Sequence, residues 1–136
     1  MHNGAYWYLE DRVLVSEFTA VVTRKDVLIS NHLICQVLAA RTTQAPLHII
    51  LDVSQRDYLD QDLLRLNADR SMFDGQTIDG WIVTADPQPQ AAMKYASATI
   101  AQALNTRSES TPSLEVALAF IARWDPSLAP LIELAE

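Results

Sequence analysis

Cysteine, glycine and basic residues are all scarce in this chain, and each shortage removes a class of function. Cys35 is the only cysteine among 136 residues, so an intrachain disulfide framework and a cysteine-based metal cluster are both excluded. Glycine occurs only at positions 4, 75 and 80, too few for a glycine-rich phosphate cradle, and neither G-x-S-x-G nor a kinase signature is present. Ten Lys and Arg stand against 17 Asp and Glu, giving a net charge of −7. That balance argues against nucleic acid as a partner, because counterion release needs clustered cations. The histidines, His2, His32 and His48, form no metal-ligand spacing, so neither a metal site nor a cofactor is expected. No run approaches the roughly 18 apolar residues of a membrane span. The opening MHNGAYWYLEDR has no basic segment followed by an apolar run, so the expectation is a soluble, unexported protein of the reducing cytoplasm.

What is present suits one folded domain. Apolar residues make up 49% and charged residues 20%, a globular balance far from that of disorder, and the length fits a single core. The domain is expected to span residues 1–136, with a tail at 1–4 and a C-terminal extension at 126–136. Residues 5–10 and 12–19 are rich in aromatic and β-branched side chains and predict a hairpin turning near Glu10 and Asp11. The two-residue period puts Tyr6 and Tyr8 on one face and Trp7 and Leu9 on the other, with one ring set inside. Thr23 precedes Asp26 by three residues, a capping-box spacing ahead of a helix over 24–41.

Residues 47–53, LHIILDV, form a short apolar run of the kind that suits a strand buried on both faces. An acidic loop over 54–59 is expected to follow, and Asp60 can cap a helix over 61–73 that Asp74-Gly75 stops. A strand over 78–84 has Trp81 and Val83 on one face and Ile82 on the other. The Asp86-Pro87-Gln88-Pro89 turn feeds a helix to about Leu104. Residues 107–110 are the least strand-like segment and are read as an edge strand. Thr111 as cap and Pro112 at the first helical position open a helix whose stripe is Leu114, Ala117, Leu118, Ile121 and Trp124. Asp125-Pro126 stops it, and residues 127–136 add a last helical turn or two. Alternating strands and helices with short connections imply an α/β fold. The expected sheet is mixed, mostly parallel and of about five strands, with an N-terminal hairpin and about four flanking helices.

The stretch Leu51-Asp52-Val53-Ser54-Gln55-Arg56-Asp57-Tyr58-Leu59-Asp60-Gln61-Asp62-Leu63-Leu64 resembles the central motif of STAS domains, the SpoIIAA-like anti-sigma-factor antagonist family. There a strand ends in Asp-Leu-Ser, a loop carries an aromatic and an aliphatic residue, and Asp-Ser-Ser-Gly-Leu begins a helix. Trp81-Ile82-Val83-Thr84 and the Ser113-Leu114-Glu115-Val116-Ala117-Leu118 helix start also look like the family's later elements. The resemblance covers nearly the whole domain and is closest to the divergent SpoIIAA-like branch of bacterial proteins. It implies a non-enzymatic regulatory domain that docks a protein partner, an anti-sigma factor or a serine kinase. The implied docking residues are Ser54, Arg56, Asp57, Tyr58, Asp60, Gln61 and Asp62. Asp62 occupies the family's phosphoacceptor position and Leu63 that of the glycine, so a serine switch does not carry over. A carboxylate at a helix start is favoured by the dipole, as a phosphoserine would be. The plainer reading makes Asp60 and Asp62 cap and first-turn acids.

Other chemistry is weaker. Asp57, Asp60 and Asp62 lack the ligand spacing of a calcium loop and read as a solvated surface. His48 and Asp52 lie four apart on one strand, roughly 13 Å by strand rise, too far to pair; His48 reads as a packing residue. Cys35 sits among apolar residues and reads as an inert core thiol. The aromatic hairpin is either core or a recognition edge, and a homodimer through it stays open. The rival to an interaction domain is a carrier or sensor of a small apolar ligand between the sheet and the alanine-rich helix.

Overall fold

The computed structural model describes residues 4–59, 77–88 and 91–135. The helix expected over 61–73, its Asp74-Gly75 stop, and Asp60, Gln61 and Asp62 lie outside the described residues. Five strands, β1 (Gly4–Leu9), β2 (Val13–Val22), β3 (His48–Leu59), β4 (Trp81–Ala85) and β5 (Arg107–Thr111), form one sheet in the order β1-β2-β3-β4-β5. β1 and β2 are antiparallel, and the β2–β3, β3–β4 and β4–β5 pairs are parallel, as the sequence pattern implied for a mixed α/β sheet. The described helices are α1 (Arg24–Ala40), α2 (Ala91–Ala103), α3 (Leu114–Trp124) and α4 (Ala129–Ala135), with a 3-10 turn over Pro126–Leu128 between the last two.

Each sheet face carries its own core. Leu14, Phe18, Ile49, Leu51, Val53 and Ile82 meet Val27 and Ile34 of α1 and Met93, Ala96, Ile100 and Ala101 of α2 on one side. Val13, Val15, Ile50, Val83 and Ala85 meet Ala117, Leu118 and Ile121 of α3 and Ile132 of α4 on the other. The apolar run of β3 is therefore continuous because its alternate residues feed two cores. Met93, Ala96, Ile100 and Leu104 are all buried, so side chains pack the α2–sheet interface considered above for an apolar ligand.

Local chemistry explains most boundaries. The Asp26 amide donates to Thr23 Oγ1 at 3.2 Å and the Thr23 amide to Asp26 Oδ2 at 2.9 Å, closing the capping box at the start of α1. At α3 the cap is Ser113, not Thr111: the Val116 amide donates to Ser113 Oγ at 3.2 Å. Thr111 is the last residue of β5, and its hydroxyl donates to the Thr84 carbonyl across the sheet at 3.0 Å. Pairing of β5 with β4 through Ala85 carries the strand one residue beyond its expected end, which shifts the helix start to the next capable side chain.

The hairpin also departs from a plain alternation. A register shift between Trp7 and Leu9 sets Leu9 opposite Val13, so Leu9 joins Tyr8 against the second core instead of sharing the Trp7 face. Tyr6 and Trp7 stay 40% and 36% exposed, so neither ring is core. At the far side of the sheet Gly80 is forced by close approach: a Cβ there would collide with the Leu47 carbonyl and lie 3.1 Å from His48 Nδ1.

Candidate docking site at the carboxyl end of the third strand

β3 outruns its neighbour. Its pairing with β4 ends at Asp52 opposite Ala85, whereas its pairing with β2 continues to Leu59 opposite Val22. Residues 54–59, expected as a loop, are therefore strand, because the long β2 supplies them with a hydrogen-bonding partner. Two register shifts accommodate this extension, one between Glu17 and Thr19 and one between Ala20 and Val21, each leaving an extra residue on β3. Bulges of this kind raise the twist and re-aim side chains, and they concentrate beside functional surfaces. Past Asp52 the β4-facing edge of β3 carries no strand among the described residues.

Asp52 anchors the first bulge. It is 5% exposed, and its Oδ1 accepts the Ser54 amide at 3.0 Å and the Ser54 hydroxyl at 2.6 Å. Ser54 is thus tied down locally, and the backbone it fixes leads into Arg56, Asp57 and Tyr58, which all lie on the strand extension. Of the sequence-nominated residues, the structure places these four on one strand; Asp60, Gln61 and Asp62 follow it outside the described residues. The carboxyl ends of the neighbouring strands are closed by their own polar groups. The Asp86 amide donates to the Thr111 carbonyl at 2.8 Å, and Asp86 Oδ1 accepts the Gln88 amide at 2.9 Å. The Thr84 and Ser97 hydroxyls hydrogen-bond to each other beneath, and Ser97 Oγ also donates to the Met93 carbonyl. Burial, followed by the nearby Glu17 and Asp52 carboxylates, pushes the Tyr6 phenol up, so it stays a neutral donor at this acidic end of the sheet.

A second polar group, which the sequence did not reveal, lies at the opposite end of the parallel strands. Asp125, just past α3, accepts Arg12 Nη2 at 2.9 Å and lies 3.4 Å from His48 Nε2, while Arg12 Nε donates to the Pro46 carbonyl at 3.1 Å. His48 is fully buried and meets the Trp124 ring edge-on at 5.4 Å. The Arg107 guanidinium sits 4.5 Å above the Trp81 ring and 4.8 Å above that of Trp124. His48 is thus a packing residue, as expected, and also a hydrogen-bond partner of Asp125. Nothing in the sequence ties Arg12, His48 and Asp125 together; Arg12 stands just before β2, His48 opens β3 and Asp125 stands just past α3. Ser54 and His48 are six residues apart on β3, about 20 Å by strand rise, so they form no nucleophile–base pair.

Cys35 is half-buried on α1 against the first core, and burial pushes its thiol up, in keeping with an inert setting. Among the described residues no helix is long and apolar enough to cross a membrane, and no group of three or more His, Cys, Asp or Glu side chains is placed to hold a metal ion.

No family model and no curated protein matches the chain. Among solved structures, the chain is similar to an uncharacterised protein of the DUF3478 family with a SpoIIAA-like fold from Shewanella loihica PV-4, at 16% identity and a TM-score of 0.46, covering 88% of this chain and 91% of that one.

Proposed function

We propose that this protein is a non-enzymatic interaction domain that docks a regulatory protein on the extended end of β3 and the segment that follows it. The observation that supports this reading is the strand extension itself. Residues 54–59 are held in register by pairing with β2, and among the described residues no strand pairs with their other edge, the requirement for strand addition by a partner. The sequence of that extension includes Arg56, Asp57 and Tyr58, a composition suited to a protein interface. Asp60, Gln61 and Asp62 would complete the surface, with Asp62 as a fixed negative charge where the resembling family carries a switchable serine. The resemblance implies a bacterial, cytoplasmic setting and an anti-sigma factor or serine kinase as partner.

The test is a pull-down from the native organism with the full chain and with Tyr58→Ala and Asp62→Ser, alongside a native mass spectrum of the purified protein. A regulator captured by the parent chain and lost with Tyr58→Ala supports the reading. Capture unchanged by both substitutions, or a copurified lipid in the mass spectrum with no protein captured, would overturn it.

A further inference from the structure

The opposite end of the molecule carries a different surface. Where the hairpin turn meets the end of α1, a groove of about 550 Å³ is lined by Trp7, Glu10, Asp11, Val37, Ala40 and Arg41. We propose that this groove receives a lysine or arginine side chain from an extended segment of a second protein, independently of the β3 surface.

Three independent features converge on a cation. Trp7 stands 36% exposed on β1 and lines the groove, and indole is the most favourable ring for an ammonium or guanidinium. The carboxylate of Glu10 is exposed at the rim, and no side chain or backbone group among the described residues pairs with it. The C-terminus of α1 points its partial negative charge here; its last turn holds no basic residue, and the side chain of its C-cap, Arg41, is bonded to Asp11. The one cation among the described lining residues is already committed. Arg41 is 10% exposed, with Nε on Asp11 Oδ1 at 2.9 Å and Nη2 on the Asp11 and Ala45 carbonyls at 3.0 and 2.8 Å. That pair cancels the charge of Asp11 and leaves Glu10 and the helix end as the net field, within a chain of charge −7.

The geometry also selects an extended segment. β1 has β2 as its one strand neighbour among the described residues, so its outer edge is open to main-chain pairing. Trp7 lies on the α1 side of β1, and alternate residues of an added strand would land on that side beside it, over the apolar Val37 and Ala40.

Isothermal titration with a capped peptide of alternating lysine and threonine tests this at low salt. The parent chain should bind it, and Trp7→Leu, which keeps an apolar side chain on the strand, should weaken binding about fivefold. Glu10→Gln should weaken it about threefold. Glu109→Gln, the same charge change on β5 at the far edge of the sheet, should leave it unchanged. Thermal melts of each variant confirm folding. An equal loss with Glu109→Gln would reduce the attraction to net charge and overturn the proposal. So would an unaffected Trp7→Leu variant, or spermidine binding as tightly as the peptide.

Discussion

His48 shows how one buried side chain couples the fold to pH. Burial drives its pKa below the usual 6.5, against the opposing pull of the Asp125 hydrogen bond and charge; Arg12 lowers it further and Asp79 acts the other way. With Nε2 facing a carboxylate, the neutral ring carries its proton there, and Nδ1, packed against Gly80, has no partner. Charging the ring would bury a second N–H with nothing to accept it. The consequence follows from linkage: below about 6.5 the unfolded chain takes up a proton that the folded one resists, so stability falls as pH falls. Asp125 acts lower down. Burial works to raise it, but hydrogen bonds from Ser127 and His48 and the Arg12 charge hold it below 3.8, so its contribution is present above that value and lost beneath it. Urea unfolding followed from pH 8 to 4 should therefore show a flat region above about 7 and a decline that begins near 6.5. A His48→Asn variant should lose this decline.

At the scale of elements, capping and pairing compete for the same residues. Thr111 and Ser113 are both good caps, and a sequence pattern ranks Thr111-Pro112 first, since proline suits a first helical position. The sheet claims Thr111, whose hydroxyl bridges to the Thr84 carbonyl, so the helix takes Ser113. Ser113→Ala should cost about 1 kcal/mol, the usual value of a lost cap, measured as a shift of the denaturation midpoint without a change in slope. Replacing Ser113 with Asp should restore most of it. The same competition explains β3. Residues 54–59 read as an acidic loop because they lack an apolar pattern, but β2 is long enough to pair with them, and a backbone partner outweighs weak strand propensity. The capping box of α1 needed no tertiary help, because Thr23 and Asp26 are local partners, and it was fully legible. The bulge that turns Leu9 away from the Trp7 face was not, since register depends on the facing strand.

For the whole molecule, the sheet order places β3 and β4 between two helical layers and leaves β1 and β5 at the edges. Ile49, Ile50, Ile82 and Val83 are fully buried, whereas β5 is exposed in four of its five residues. Opening free energies should follow that gradient. Native-state hydrogen exchange should be slowest at Ile49–Leu51 and Ile82–Val83, faster at β1 and β5, and intermediate in residues 54–59, which have one strand neighbour among the described residues. Equal protection of residues 54–59 and the Ile49–Leu51 stretch would mean that a further element covers the edge named above as the docking surface.

The sequence by itself determined the alternation of strands and helices, the double-sided burial of the LHIILDV run, the helix caps made by near neighbours and the acidic, cysteine-poor character of the surface. These follow from periodicity and local chemistry, which act over a few residues. Tertiary structure decided where β3 ends, which threonine or serine caps α3, which hairpin rings face solvent, and that Arg12, His48 and Asp125 meet across 113 positions of chain. Each of those depends on a partner distant in sequence, and a strand edge or an ion pair exists only once the fold has brought that partner alongside.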